Sequence, residues 1–206
     1  VFHKDGSFSY RGLNSRYPRL TASLPGRYQI RNTACAIACI ELLRERGFPV
    51  DDSALMRGIK NVRWPGRMEI VGCRPTVLLD AAHNPAGVTA LCEALKNGFS
   101  YRRLILVFGV FRDKNYTTMI KKLASLADEI FVTSCKTERV LALEDLMPVA
   151  QRFIKTVRAV AEPINALRQA LATASADDLV CVTGSLYLIG DIKRDLPLLK
   201  TSHQLS

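Results

Sequence analysis

Two stretches hold the residue types most suited to chemistry. WPGRMEIV, residues 64–71, puts Arg67 on a Pro-Gly bend that leads into a strand. LLDAAHNPAG, residues 78–87, ends an apolar strand with Asp80 and His83, then opens a helix at Asn84-Pro85. A carboxylate, an imidazole and a guanidinium are thereby set at the carboxyl end of a strand, where open α/β sheets bind ligands. Arginine offers a rigid fork of donors suited to phosphate oxygens, although an isolated arginine usually ends in a surface ion pair. Asp80 follows Val77-Leu78-Leu79, so an unpaired carboxylate there has to meet solvent, a cation or ligand hydroxyls, or else cap the following helix. A lone histidine such as His83 is more often structural than catalytic, but the free N–H groups of the helix opened by Asn84-Pro85 favour a nearby anion.

Three more polar residues lie near the ends of predicted elements. Asn32, in GRYQIRNTACAIA (26–38), lies near a helix start, and its amide both donates and accepts. Lys114, in the loop after the strand of LILVFGVFRDKNY (104–116), can reach a phosphate or carboxylate, though exposure to solvent is the commoner outcome. Ser185 follows Gly184 at the turn of VCVTGSLYLIGDIKR (180–194), a position that suits a helix cap.

The elements that must position these groups follow from periodicity. Phe8, Tyr10, Leu13, Tyr17, Leu20 and Leu24 alternate with polar residues, which predicts short antiparallel strands up to Pro25-Gly26. Residues from about 30 to 46 switch to helical spacing, with Ile30, Ala34, Ile37, Ala38, Ile40 and Leu42 as the apolar stripe and Gly47 as the stop. A shorter helix is expected from Ser53 to about Lys60, capped by Asp51, Asp52 or Ser53. From about residue 70 strands and helices alternate. PTVLLDA, RLILVFG, EIFVTS and DLVCVTG are the strands, with KTVRAV (155–160) a weaker one, and helices fall near 85–97, 115–127, 143–154, 162–174 and 185–194. Strands apolar throughout imply a sheet covered on both faces. The expected fold is therefore α/β: a doubly wound, mainly parallel sheet over 69–206, preceded by a smaller part over 1–68. The tail from about 196 is expected to be mobile.

Composition narrows the classes. No apolar run approaches the roughly 20 residues of a membrane span, and the N-terminus lacks the pattern of a secretory signal. The six cysteines, at 35, 39, 73, 92, 135 and 181, form no Cys-x-x-Cys pair, and with three histidines no metal site is expected. They read as buried free thiols of a reducing cytoplasm. A net charge of +10 points to anionic partners. The basic residues are scattered and no nucleic-acid recognition motif accompanies them, so a basic nucleic-acid module is the more distant alternative.

Taken together, Arg67 after Pro65-Gly66, the segment from Asp80 to Pro85, Asn32 and the strands before Asp113-Lys114-Asn115 and Ser185 resemble one family. It is that of folylpolyglutamate and dihydrofolate synthases, within the Mur-ligase superfamily. The resemblance covers essentially the whole chain, but only the C-terminal portion of such an enzyme, and the chain reads as part of a longer protein. Departures are Ala81 for the usual glycine of Asp-Gly-Ala-His-Asn-Pro, Tyr28 for a usual histidine, Asn115 for aspartate, and a loose match of TERVLAL (137–143) to Pro-Arg-Ala-Leu. The resemblance implies that Asn32, Arg67 and Asp80 contact ATP, Asp80 through its ribose. It implies that His83 lies beside the nucleotide and the incoming L-glutamate, with Ser185 near that glutamate and Lys114 assisting. Folate or dihydropteroate would be held mainly by the portion ahead of this chain, together with the P-loop and the Mg2+ ligands that this sequence lacks. The implied activity is ATP-dependent joining of glutamate to a folate through an acyl phosphate, with residues 1–68 the end of the central ATPase domain. The chain alone is expected to be inactive, cytoplasmic and monomeric, with neither membrane nor nucleic acid as partner. A Mur-type cell-wall peptide ligase is the nearer alternative.

Overall fold

The alternation ahead of Pro25 produces two antiparallel strands, β1 (Phe8–Arg11) and β2 (Arg16–Leu20), with Tyr10 paired to Tyr17. These coordinates are a computed structural model that describes residues 1–3, 6–135, 137 and 139–201. Helices α1 (Arg27–Glu45) and α2 (Asp52–Asn61) follow, and Phe8, Tyr10, Tyr17, Leu20, Ile37 and Leu55 form their shared core. Gly47, at φ 85°, stops α1: its N–H reaches the Arg44 carbonyl and that of Phe48 reaches Leu43, so the last carbonyls are satisfied. Of the three possible caps for α2, Asp51 is the one used, accepting from Ala54 N–H at 2.6 Å.

The stripe read along α1 needs correction at its end. Leu42 is 47% exposed, whereas its neighbour Glu41 is 2% exposed. Glu41 is buried because Tyr10 Oη (2.7 Å) and the N–H groups of Leu13 (3.1 Å) and Asn14 (3.2 Å) all donate to it. Burial pushes its carboxyl up, but these donors together with Ser15 outweigh that and hold it at about 2. The cysteines need correction too. All six are free, but Cys35, Cys39 and Cys73 are exposed and only Cys92, Cys135 and Cys181 are buried. Cys35 and Cys39 fall on the face of α1 turned away from Ile37.

Contacts divide the chain into Val1–Pro65 and Gly66–Ser206, a little ahead of the boundary read from the sequence. The reason is local: Gly66 and Met68 bond to Ala81 and Asp80 of the second unit. That unit is built on a six-stranded sheet. Its strands are β3 (Glu69–Cys73), β4 (Thr76–Asp80), β5 (Leu104–Phe108), β6 (Glu129–Val132), β7 (Thr156–Ala159) and β8 (Leu179–Thr183), in the order β3-β4-β8-β5-β6-β7. Only β3 runs antiparallel. Period-two alternation sends Leu78, Leu106 and Cys181 to one core and Val77, Val107 and Val182 to the other. The first core is closed by α3 (Pro85–Gly98), α4 (Tyr116–Leu123) and α5 (Leu143–Gln151), the second by α6 (Pro163–Thr173) and α7 (Leu186–Asp195). The sheet is therefore doubly wound, with helices on both faces.

KTVRAV is indeed a strand, β7, but an edge strand and mostly exposed, which is why its pattern is weak. A final short helix, α8 (Pro197–Thr201), corrects the expectation of a mobile tail from 196: Leu196 and Leu199 are buried in the second core, while residues 202–206 lie outside the described residues. Among the described residues no helix is long and apolar enough to cross a membrane.

Register aligns the carboxyl ends. Asp80 pairs with Thr183, Thr183 with Phe108, and Phe108 with Val132, so four strands finish in one row. The middle strand, β8, leads to a helix on one face, while its neighbours β4 and β5 lead to helices on the other. Such a reversal opens a crevice beyond the strand ends.

Candidate functional site

The turn carrying Arg67 lies at this edge and is unusually constrained. Gly66 (φ 72°) and Met68 (φ 49°) both adopt the left-handed region, and Met68 is the one non-glycine among the described residues to do so. Glycine is required at 66 for a second reason: a Cβ there would stand 2.8 Å from Ile189 Cγ2. The Gly66 carbonyl accepts from Ala81 N–H at 2.8 Å, and Gly66 N–H donates to Glu69 Oε2 at 2.6 Å. Met68 N–H donates to Asp80 Oδ2 at 3.0 Å, and its side chain is buried in the first core. Between these fixed neighbours Arg67 is half-buried and makes no hydrogen bond or ion pair with a described residue.

Asp80 does not open to solvent: it is 2% exposed, and its two oxygens accept from Met68 N–H and Ala82 N–H, each at 3.0 Å. A carboxylate ending an apolar strand is costly unless satisfied, and the nearest donors are the backbone groups on either side. It does not cap α3. That task falls to Asn84, which accepts from Gly87 N–H at 2.7 Å, with Pro85 at the first turn. The charge of Asp80 is felt at Cys181, whose thiol is pushed up first by full burial and then by this carboxylate.

His83 is half-buried between them in sequence, with Nδ1 2.9 Å from the Ala81 carbonyl. A carbonyl only accepts, so Nδ1 carries the proton in this contact, and Nε2 is left for another partner.

Neighbouring loops supply Lys114 and Ser185. Lys114 Nζ is bonded to Asp113 Oδ2 at 2.7 Å and holds that carboxyl below its ordinary range. Ser185 is buried and caps α7, accepting from Tyr187 N–H at 3.1 Å, and it also bonds Cys135. Burial pushes the Cys135 thiol up to about 11 against that hydrogen bond, so it stays protonated near neutrality. Asn32, in the other unit, is exposed on α1 and donates to Gln29 Oε1 at 2.8 Å. Arg67, Asp80 and His83 are thus gathered at one sheet edge with Lys114 and Ser185 on adjoining loops, while Asn32 belongs to a separate unit.

Sequence reasoning missed two contributors. Glu69 was passed over as a strand residue, although its place three residues after Gly66 hinted at a turn partner. Lys193, on α7, bonds Glu69 Oε1 at 2.5 Å across 124 positions of sequence, and no local signal announces it. The loosely matching segment TERVLAL also reaches this edge: the Arg139 guanidinium lies 5.0 Å from the Phe111 ring, and Val140 bridges Phe111. Glu138 of that segment lies outside the described residues.

The fold is that of a doubly wound α/β domain. Residues 66–186 match the family described as Mur ligase, glutamate ligase domain. The chain belongs to that family. It is 33% identical, over 92% of its own length and 44% of the relative's, to the dihydrofolate synthase/folylpolyglutamate synthase of Bacillus subtilis. Among solved structures, Mycobacterium tuberculosis folylpolyglutamate synthase complexed with ADP superposes with a TM-score of 0.83 at 30% identity, over 92% of this chain and 44% of that one. Escherichia coli FolC in complex with DHPP and ADP gives 0.78 at 26% identity, over 90% and 42%. The chain spans less than half the length of these relatives.

Proposed function

We propose that this chain is the C-terminal part of an ATP-dependent ligase that joins L-glutamate to a folate, supplying contacts to ATP and to the glutamate. The observation that carries the reading is Arg67: a half-buried guanidinium without a partner among the described residues, on a turn held rigid by its neighbours. A fixed donor fork at a ligand-binding edge suits a phosphate group, and the relatives solved with ADP agree with that use. ATP would phosphorylate the folate carboxylate, and the glutamate amine would displace phosphate from the acyl phosphate. Arg67 would hold the nucleotide. Asp80 would act chiefly by holding the turn that carries Arg67, with ribose contact a further role for the same carboxylate. His83 Nε2 would accept from the glutamate amine, with Ser185 and Lys114 near its carboxylates and Asn32 on the nucleotide.

Among the described residues no group of three or more His, Cys, Asp or Glu side chains is placed to hold a metal. The relatives extend well beyond the part this chain matches, and we assign to their preceding portion the Mg2+ that accompanies ATP, the triphosphate cradle and most of the folate site. Residues 1–68 would be the end of that ATPase domain and 69–206 the C-terminal ligase domain. The exposed stripe of Cys35, Cys39, Leu42 and Leu43 on α1 is the kind of surface a larger domain covers. On this reading the chain alone does not catalyse, and a monomer in the reducing cytoplasm suits its six free thiols.

The test is Arg67→Ala in the complete ligase. Losing one charge-stabilising donor should lower turnover about 100- to 1000-fold, with little change in thermal stability because Arg67 supports nothing in the core. Near-normal turnover would return Arg67 to a surface role and remove the main support for the reading.

A further inference from the structure

The turn that carries Arg67 is braced from behind by α7. Ile189 blocks any side chain at 66, and Lys193, one helical turn later on the same face, bonds Glu69 Oε1 at 2.5 Å. The other oxygen of Glu69 accepts the N–H of Gly66, which is buried and has poor access to water. One carboxylate therefore joins a helix on the far side of the sheet edge to the backbone of the turn. Exposed ion pairs contribute little, but here the Lys193 and Glu69 side chains are 33% and 29% exposed, and the second oxygen is committed to backbone. The turn needs such a brace. Two of its three residues are left-handed, and a non-glycine residue is strained there and persists only where its surroundings impose it.

We propose that Glu69 and Lys193 are positioning residues for Arg67, fixing the turn so that its guanidinium is presented to phosphate with little freedom to lose on binding. This rests on the reading of Arg67 as a phosphate contact. Glu69 and Lys193 touch no substrate themselves; the carboxylate sets the Gly66 amide, and the ammonium sets the carboxylate. Loss of either lets the turn relax and the fork move off its target. Misplacement of order 1 Å costs up to about 100-fold in rate.

The experiment is a double-mutant cycle in the complete ligase, with Glu69→Ala, Lys193→Met and Arg67→Ala alone and in pairs. Each of the first two should lower kcat/KM for ATP about 10-fold or more, leave KM for glutamate unchanged, and add nothing once Arg67 is alanine. Lys193→Arg should restore most of the loss. In this chain itself, Glu69→Ala should speed amide hydrogen exchange at Gly66 and Met68 while the sheet amides of β4 and β8 keep their protection. If Arg67→Ala is damaging and Glu69→Ala is harmless, or equally damaging without Arg67, the positioning role is overturned and the phosphate reading survives. A harmless Arg67→Ala overturns both.

Discussion

Replacing Asp80 by asparagine tests whether this residue works through a ligand or through the backbone. The carboxylate is 2% exposed and accepts from Met68 N–H and Ala82 N–H at 3.0 Å each. Asparagine keeps the shape but offers one oxygen, so its NH2 group must face one of these two donors. Leaving a buried donor without an acceptor costs about 1–3 kcal/mol, and the surviving bond loses its charge assistance, for a total of about 2–4 kcal/mol. At about 2–4 °C per kcal/mol for a unit of this size, the melting temperature should fall by roughly 5–15 °C. With the NH2 toward Met68, that residue loses the bond that anchors its left-handed conformation, so Arg67 should loosen and nucleotide affinity should fall as well. Thermal unfolding of this chain, followed by circular dichroism, reads the first effect, and calorimetric titration of the complete ligase with ADP reads the second. A melting temperature within about 1 °C of the parent, together with weakened ADP binding, would refute the reasoning: the carboxylate would then serve a ligand. Clear destabilisation with unaltered ADP affinity would break the link from Asp80 to Arg67.

Three further outcomes are expected. His83→Ala should lower glutamate-dependent turnover about 100-fold or more if Nε2 takes a proton from the amine, with ADP binding and melting temperature nearly unchanged; loss of ADP binding instead would move His83 to the nucleotide. Ser185→Ala should remove the cap of α7, lowering stability by about 1 kcal/mol, and an altered KM for glutamate at unchanged stability would make the serine a ligand first. Glu41 gives a pH dependence. Its folded pKa of about 2 lies below the ordinary 4.5, so the unfolded chain binds more protons in that window. Stability from this group is present above about pH 4.5 and is lost as pH falls toward 2. Denaturant midpoints measured from pH 6 to 2 should therefore fall less steeply in Glu41→Gln than in the parent, and parallel curves would exclude Glu41 as the source.

How much of this was legible in sequence depended on whether the deciding contact was local. The step from β4 into α3 was legible because Asn84 and Pro85 act within one turn, and β5 and β8 because burial on both faces leaves an apolar run. Glu41 was not, since its donors at Tyr10, Leu13 and Asn14 come from a distant hairpin and turn a charged position inward. That inward turn goes with the exposure of Leu42, which the stripe had counted as core. Buried Leu196, just ahead of α8, and Leu199, within it, were passed over because a chain end reads as free until something is found to pack on it.

The candidate site shows a sharper form of the same limit. Asp80, Asn84 and Ser185 are polar residues at the ends of strands and the starts of helices, where backbone N–H groups lack partners within their own element. Each is taken first by such an amide: Met68 and Ala82, Gly87, and Tyr187 respectively. Residue type and position alone cannot separate a group that serves the backbone from one that serves a ligand, because both tasks select the same oxygen atoms. The groups that separate cleanly are those left without that duty. Arg67 cannot accept from an amide at all, and the His83 ring uses Nδ1 on a carbonyl and leaves Nε2 for another partner. Function at this edge is therefore best sought in the guanidinium and the imidazole, with the carboxylates Asp80 and Glu69 holding the turn that aims the first of them.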